Sequence, residues 1–407
     1  MTGPLVDPAW LTDRAGLVVL DATVVLPAPR HDGDHRSSSG RDEWAREHIP
    51  GSVHADLLHD LSDPDSPFHF ARPAPAVLAE RLGGLGVADG TTVVVYDTAG
   101  GLWAARLWWL LRWIGVDAHV LDGGLRAWRD AGLPTETGLA TTTPGSLTPR
   151  PRNGYWVGKD DLVSWSEGAV AATVVCALSP ETFRGEGPSR YARRGHIPGS
   201  TNVPARGLTG PDGRYLPAGE LRAATADLGD GPVWVYCGGG ISAASLALVL
   251  TLLGRDEVAI YDGSLEEWAA DPALPLAVGL SDDVRAFLDV PEFAVLATSE
   301  PDGRAQLSVM WVGRDGDDLV MATKRGRRKV RNLQRDPKAT VLVYSRSRPT
   351  RYVEIRGTAK ITDEDARALI DRLSRSYTGR DHALGDPDDE RDRVVIRITP
   401  DRVRSQL

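Results

Sequence analysis

Cys237 stands between a short apolar run and three consecutive glycines. The run, Val233–Tyr236, predicts a buried strand, and the apolar pattern over residues 242–253 predicts a helix that stops before Gly254. A thiol at such a strand–turn–helix junction faces unpaired backbone N–H groups and the positive end of the helix dipole, and both stabilise a thiolate. The glycines let the backbone curl closely around a group bound at sulfur. The pattern therefore favours a nucleophile over the ordinary alternative, a buried core cysteine.

The elements that must position Cys237 belong to an internal repeat. The segment His-Ile-Pro-Gly-Ser at residues 48–52 returns at 196–200, and an Asp-Gly segment followed by a tryptophan occurs at 122–128 and at 262–268. Each copy alternates β runs with helical patterns. The repeat therefore predicts two α/β domains, each a parallel sheet with helices on both faces.

The two copies differ at the position that matters most for chemistry. Asp97 follows the first copy's Val-Val-Val-Tyr run, where Cys237 follows the equivalent run of the second copy. A carboxylate cannot perform thiolate chemistry, so we expect only the second copy to be reactive. The first copy is then expected to supply one wall of a cleft.

Composition places limits on the class of protein. A chain of 407 residues with 42% hydrophobic and 25% charged residues is expected to form two or three soluble globular domains. The formal net charge of −9 argues against general nucleic-acid binding. With two cysteines and neither a membrane-spanning stretch nor a signal-peptide pattern, we expect a cytoplasmic protein.

Residues 1–275 resemble the tandem-domain rhodaneses, the sulfurtransferase family that includes thiosulfate and 3-mercaptopyruvate sulfurtransferases. The repeated His-Ile-Pro-Gly segments, the loop after Cys237 and the exchange of Asp97 for cysteine carry this resemblance. It implies an inactive domain over 1–140, a linker over 141–153 and a catalytic domain over 154–276.

The resemblance also implies a ping-pong reaction without a cofactor. The Cys237 thiolate takes a sulfane sulfur from a small donor, becomes a persulfide, and passes the sulfur to a thiol or cyanide-type acceptor. The alternative from another class is a sulfur carrier or scaffold without turnover, whose main chemistry is redox in the C-terminal domain. No metal site is predicted.

The loop residues Gly238, Gly239, Gly240 and Ile241 are expected to line the donor site, and none of them carries a charge. Such a loop suits monoanionic 3-mercaptopyruvate better than dianionic thiosulfate, which stays the alternative donor.

The remaining site residues come from the resemblance. It implies Arg184 and Arg190 as partners of the donor carboxylate, with solvated surface arginines as the ordinary alternative. The relay serine that such enzymes often carry two positions after the cysteine is Gly239 here. Ser242 is the candidate substitute, and His69 is the favoured relay residue against a solvated loop histidine.

After residue 276 the pattern changes to a series of strands with tight turns, which predicts a small, mainly antiparallel barrel. A helix is predicted over 363–377, with Thr362 and Asp365 spaced as a capping box. The segment 324–331 holds six basic residues at the junction of a strand and a helix. Backbone N–H groups and arginines converge on phosphate at such junctions, which favours a phosphorylated cofactor over a solvated helix face or a nucleic-acid patch.

Residues 277–407 resemble the pyridoxamine-phosphate-oxidase-like split barrels, in particular the branch that binds FMN or the deazaflavin F-420. The basic segment and the strand at 308–311 carry the resemblance. It implies a homodimer with the cofactor at the subunit interface. By position, it also implies cofactor contacts at Ser308, Thr323, Lys324, Arg327, Lys329 and Asn332.

Overall fold

The computed structural model describes residues 3–140, 142–383 and 392–407, and the chain divides into two compact units, Met1–Leu274 and Pro275–Leu407. The first unit contains both copies of the repeat. Among the described residues, no helix has both the length and the apolar character needed to cross a membrane.

The first copy is built on a five-stranded parallel sheet. Its elements in chain order are β1 (Leu5–Val6), α1 (Pro8–Thr12), β2 (Val18–Asp21), β3 (Val24–Val25), β4 (Ser38–Ser39), α2 (Arg41–Arg46), β5 (Val53–His54), α3 (Pro75–Gly84), β6 (Thr92–Tyr96), α4 (Leu102–Trp113), β7 (Asp117–Leu121) and α5 (Gly124–Asp130). The strand order is β1-β7-β6-β2-β5, while β3 and β4 form a separate antiparallel pair. The central strand β6 is a valine run buried on both faces, as expected when helices cover a parallel sheet.

The second copy repeats this plan. Its elements are β8 (Trp156–Val157), α6 (Lys159–Ser166), β9 (Thr173–Cys176), α7 (Pro180–Phe183), β10 (Thr201–Asn202), α8 (Ala218–Ala224), β11 (Val233–Tyr236), α9 (Ile241–Leu252), β12 (Val258–Tyr261) and α10 (Ser264–Ala270), with short 3-10 turns at Ala205–Leu208 and Ala226–Leu228. The parallel strand order is β10-β9-β11-β12-β8. The prediction of two parallel sheets covered by helices is confirmed.

Helices α4 and α9 join the two copies. Both follow the central strand of their sheet, and both are apolar around almost their whole circumference, the pattern of a helix buried on all sides. Residues of both helices belong to one continuous hydrophobic core. The loops at their N-termini, which begin at Asp97 and Cys237, therefore start from a rigid shared base.

The predicted linker contains no helix or strand among its described residues, 142–153, and Thr141 lies outside them. Its backbone is nevertheless attached to the first copy. The N–H of Gly145 donates to the Gly83 carbonyl, and the N–H of Arg150 donates to the Ile114 carbonyl, both at 2.8 Å. The segment therefore runs along the surface of the first copy over these residues.

The second unit is a mainly antiparallel split barrel, as predicted. Its elements are α11 (Asp282–Leu288), β13 (Ala294–Ser299), β14 (Ala305–Met310), β15 (Gly313–Asp315), β16 (Asp318–Lys324), α12 (Arg328–Arg335), β17 (Lys338–Tyr344), β18 (Tyr352–Thr362), α13 (Ala366–Thr378) and β19 (Arg393–Gln406). The seven strands pair in the order β14-β13-β17-β18-β19-β16-β15, and every pairing is antiparallel.

The capping box predicted at Thr362 and Asp365 is wrong. Thr362 is the last residue of β18, where it pairs with Val395, and sheet pairing takes precedence over the helix start. Helix α13 begins at Ala366, three residues later than predicted. Its N-cap, Asp365, has a left-handed φ of 55° and makes no side-chain capping bond.

Candidate active site and candidate cofactor site

Cys237 lies directly after β11, and the helix α9 begins four residues later at Ile241. Its N–H donates to the Ser264 hydroxyl at 3.2 Å, and its carbonyl accepts from the N–H of Leu265 at 3.1 Å. The start of α10 thus holds the cysteine backbone from both sides. The residue is 2% exposed, so a donor must reach the sulfur through a narrow approach.

The first copy shows what this type of loop binds. The Asp97 carboxylate accepts four backbone hydrogen bonds of 2.8–2.9 Å, from Ala99, Gly101, Trp103 and Ala104. These donors are the loop and the first turn of α4, the helix end where N–H groups have no partner in the helix. The loop is therefore a cradle for one anion, and in the first copy the chain's own carboxylate fills it.

The equivalent loop of the second copy has Cys237 in place of the Asp97 carboxylate. Gly240 has the left-handed φ of 80° and precedes α9, as Gly101 with φ 85° precedes α4. Across the described parts of the chain, the N–H groups of Gly238, Gly239 and Gly240 make no hydrogen bond. Because Cys237 is shorter than Asp97 and carries no oxygen, these donors are left for an anionic sulfur or a persulfide.

Tyr191 closes the loop on one side. A Cβ atom added at Gly238 would lie 1.5 Å from the Tyr191 hydroxyl oxygen, so only glycine fits at this position. Burial raises the pKa of Tyr191 well above its usual range, and the nearby Cys237 raises it further. The phenol is therefore neutral, and its hydroxyl lies at the residue directly after Cys237.

Arg106 of α4 places a cation behind the loop of the second copy. Its side chain is 1% exposed, and Nη2 donates to the Asp262 carboxylate at 2.6 Å and to the Phe70 carbonyl at 2.7 Å. Nη1 is buried without a hydrogen-bond partner and lies 2.7 Å from the position of a Cβ added at Gly240. The inactive copy thus contributes positive charge to the active one.

His69 reaches the loop from the first copy. Its carbonyl oxygen lies 3.3 Å from the position of a Cβ added at Gly239, and its Nδ1 donates to Glu266 Oε1 at 2.6 Å. The Glu266 carboxylate also accepts from the His69 backbone N–H at 3.1 Å. The His69 ring stacks on that of His35, with ring centroids 3.7 Å apart. Glu266 thus orients the His69 ring through Nδ1 and leaves Nε2 for another contact.

The two predicted arginines have different surroundings. Arg184 forms a bidentate pair with Glu186 at 2.9 and 3.0 Å, so its guanidinium is already occupied. Arg190 donates from Nη2 to the Pro27 carbonyl of the first copy, while its Nη1 is buried without a partner. Burial lowers the pKa of Arg190. Arg190 therefore has a buried N–H group that makes no hydrogen bond within the described residues, whereas Arg184 is bonded to Glu186.

The side chains of the predicted residues Ser242 and Ile241 have different surroundings. Ser242 is half-buried in the first turn of α9, and its hydroxyl makes no hydrogen bond to any described residue. Ile241 is 8% exposed and packs into the core, so only its backbone faces the cradle. Tyr191, Arg106 and Glu266 also reach the Cys237 loop, and they come from distant parts of the chain that the sequence pattern around Cys237 does not indicate. The glycine run after Cys237 was the one local signal of these contacts. Residues without side chains leave space that groups from other parts of the chain can fill.

The predicted cofactor residues of the second unit lie at the end of β16 and along α12. Thr323 Oγ1 is buried without a hydrogen-bond partner. Lys329 is 6% exposed, and within the described ranges it makes no ion pair or hydrogen bond; burial and the charge of Arg327 lower its pKa. A buried cation and a buried hydroxyl, both without a hydrogen-bond partner among the described residues, each fit a phosphate group.

The other predicted cofactor contacts are less direct. Asn332 is buried and donates to the Thr298 hydroxyl at 3.0 Å, so its amide is partly committed to the fold. Ser308 on β14 accepts from the Gln306 side chain at 2.8 Å. Lys324 is half-buried and Arg327 is exposed at the N-cap of α12.

Comparisons with known proteins agree with both resemblances. The family model "Rhodanese-like domain" matches residues 34–131 and 184–271, and the model "Pyridoxamine 5'-phosphate oxidase" matches residues 280–407. A Mycobacterium tuberculosis protein that carries a thiosulfate sulfurtransferase name is 36% identical over 246 residues, 59% of this chain and 86% of its own. A Pseudomonas aeruginosa protein named "Probable 3-mercaptopyruvate sulfurtransferase" is 35% identical over 272 residues, 65% of this chain and 93% of its own.

A solved structure extends the comparison to the fold. The Escherichia coli 3-mercaptopyruvate sulfotransferase structure superposes with a TM-score of 0.55 at 31% identity, and the match covers 65% of this chain and 99% of that one. Two parallel sheets joined by α4 and α9, with one cysteine in an anion cradle, define a tandem-domain sulfurtransferase. The chain belongs to the rhodanese family, with a pyridoxamine 5'-phosphate oxidase-type domain fused at its C-terminal end.

Proposed function

We propose that this sulfurtransferase takes sulfur from 3-mercaptopyruvate through a persulfide on Cys237. The thiolate attacks the donor sulfur, an S–S bond forms and the carbon–sulfur bond breaks. The bonding electron pair leaves on carbon as the enolate of pyruvate, which then takes up a proton. An acceptor thiolate removes the outer sulfur in the second half-reaction and regenerates Cys237. Both cysteines are free thiols, which fits a reducing compartment such as the cytoplasm.

The observation that carries this choice of donor is the buried, unpartnered Nη1 of Arg190. A carboxylate is the natural partner of such a guanidinium donor. The loop offers backbone N–H groups and the neutral Tyr191, with Arg106 as the one cation named behind it, and this single positive charge suits a singly charged sulfur better than a dianion. The relatives carry names for both donors, so the choice of 3-mercaptopyruvate rests on the residues of the site.

The donor proposal is tested by steady-state kinetics with 3-mercaptopyruvate and thiosulfate. We expect a higher kcat/KM with 3-mercaptopyruvate, and a loss of about 10- to 100-fold with this donor in Arg190→Met, because a charge-assisted hydrogen bond is removed. Arg184→Met is the matched control and should change kcat/KM little, since Arg184 is paired with Glu186. A higher kcat/KM with thiosulfate would refute the choice of donor.

The persulfide is tested by mass spectrometry after treatment with either donor. The wild type should gain one sulfur atom and lose it on addition of an acceptor thiol, whereas Cys237→Ser should gain none. A persulfide that forms but is not released to small acceptors would instead support the alternative function, a sulfur carrier or scaffold without turnover.

For the C-terminal unit we propose a phosphate-bearing redox cofactor, FMN or F-420, held by Lys329 and Thr323. When bound, either cofactor supplies hydride or electron transfer. Lys329→Met should weaken binding of added FMN or F-420 at least about tenfold. Lys360→Met, which removes an exposed lysine from β18, should not weaken it. If neither cofactor binds the wild type in equilibrium titrations, the proposal fails.

We further propose that this unit forms a homodimer through β14. This strand is at one edge of the sheet, and its outward side chains Leu307 and Val309 are 63% and 67% exposed. Large apolar side chains on an edge strand are typical of a surface that another chain covers. A second copy is the occupant that the resemblance to dimeric split barrels favours.

A further inference from the structure

Three side chains of metal-ligating types meet beside Gly239 of the Cys237 loop. One ligand atom each of His35, His69 and Glu266 can be chosen so that all three lie within 4.8 Å of one another. His35 and His69 come from the first copy and Glu266 comes from α10 of the second. Two imidazoles and one carboxylate are the ligand set of many sites for Zn²⁺ and related ions, which leave further positions for water.

The His35 ring contacts the rings of His69 and Phe70. Its Nδ1 is buried without a hydrogen bond, an arrangement that costs free energy unless a ligand satisfies it. An unsatisfied imidazole nitrogen within reach of a second imidazole and a carboxylate is available to ligate a metal ion.

The position of the cluster connects it to catalysis. Glu266 Oε2 lies 3.7 Å, and the His69 carbonyl 3.3 Å, from the place of a Cβ added at Gly239. An ion bound here would replace the proton that His69 Nδ1 shares with Glu266. It would also tie the two copies together across the approach to Cys237.

We propose that His35, His69 and Glu266 form an inhibitory site for a divalent transition metal ion of the zinc type at the mouth of the sulfurtransferase pocket. Because the two histidine rings are stacked, one of them must turn for both to ligate a single ion. His69 is the ring with room to turn, since its side chain is 41% exposed. Sulfur transfer then stops because His69 is immobilised and the approach to Cys237 is closed.

A measurement of Zn²⁺ binding distinguishes this site from binding of the ion by the Cys237 thiol. Titration of the purified protein with ZnCl₂, followed calorimetrically, should show one site per chain in the wild type and equally in Cys237→Ser. His35→Phe keeps a ring stacked on His69 but removes a ligand, so it should bind Zn²⁺ about tenfold more weakly or worse. The opposite pattern, in which Cys237→Ser loses the site and His35→Phe retains it, would overturn the proposal.

A spectroscopic and a kinetic readout complete the test. Co²⁺ bound at the site should give visible d–d absorption without a sulfur-to-metal charge-transfer band. Added Zn²⁺ should inhibit sulfur transfer by the wild type in a manner reversed by EDTA, while His35→Phe keeps its activity and resists the inhibition. A thermal melt of metal-free His35→Phe checks its fold. Equal inhibition of the two proteins, or a charge-transfer band, would overturn the assignment.

Discussion

At the scale of single residues, Gly238 and Tyr191 share one small volume beside the nucleophile. The Tyr191 hydroxyl oxygen would lie 1.5 Å from a Cβ at Gly238, and its ring carbon Cζ would lie 2.4 Å away. A side chain at residue 238 would therefore have to displace the phenol. The space beside Gly238 is thus filled by a residue 47 positions earlier in the numbering, roughly one supersecondary unit away.

The shared volume predicts strong coupling between these two positions. Gly238→Ala should lower the free energy of unfolding by about 1–3 kcal/mol, because an added methyl overpacks the site. In a Tyr191→Ala background the same change should cost clearly less. Urea denaturation of the wild type, the two single variants and the double variant measures the coupling. Additive effects would show that Tyr191 does not occupy the volume above Gly238.

At the scale of elements, a backbone N–H of each copy donates a hydrogen bond to an aspartate of the other copy. The N–H of Arg72, in the first copy, donates to the Asp262 carboxylate of the second at 2.8 Å. Reciprocally, the N–H of Tyr215 donates to the Asp122 carboxylate of the first copy at 2.9 Å. The aspartates are the equivalent residues that follow β12 and β7. The symmetry is broken by Arg106, whose charge reaches the loop of the active copy.

This asymmetry predicts two effects of Arg106→Met. It should destabilise the protein by about 3–5 kcal/mol, because the largely buried Asp262 carboxylate loses its cation and keeps only the hydrogen bond from the Arg72 N–H. It should also slow alkylation of Cys237 by iodoacetamide, since a cation near the thiolate is removed. Arg112→Met is the control, because Arg112 also crosses between α4 and α9 but donates to the neutral Thr251 hydroxyl. An unchanged alkylation rate in folded Arg106→Met would contradict the electrostatic role.

The parts of the site that could be predicted from the sequence are those encoded locally. The strand, the glycine run and the helix around Cys237 are consecutive, and the repeat marks Asp97 as their counterpart. Contacts such as His69 with Glu266 join residues 197 positions apart, and their pairing depends on how the two copies pack. No periodicity or spacing carries that information. The helix start at Ala366 was misplaced for a related reason, because the pairing of β18 with β19 extended the strand.

At the scale of the whole molecule, the sulfur-transfer site and the proposed dimer surface lie in different units. The proposed dimer surface on β14 lies in the second unit, while every group around Cys237 that is named above lies in the first. Replacing both Leu307 and Val309 with glutamate puts charge on the exposed face of β14 and should prevent dimerisation. Sulfur transfer per chain should be retained, because the cradle, Arg106, Arg190 and His69 are untouched.

Analytical ultracentrifugation of the full chain measures this prediction directly. The wild type should sediment as a dimer and the Leu307→Glu/Val309→Glu variant as a monomer. Arg304→Glu, an exposed change in the turn before β14, is the control and should leave the dimer intact. A monomeric wild type would remove the dimer proposal. A variant that becomes monomeric and also loses sulfur transfer would show that the two units depend on each other, because the substituted residues belong to the second unit and the Cys237 loop belongs to the first.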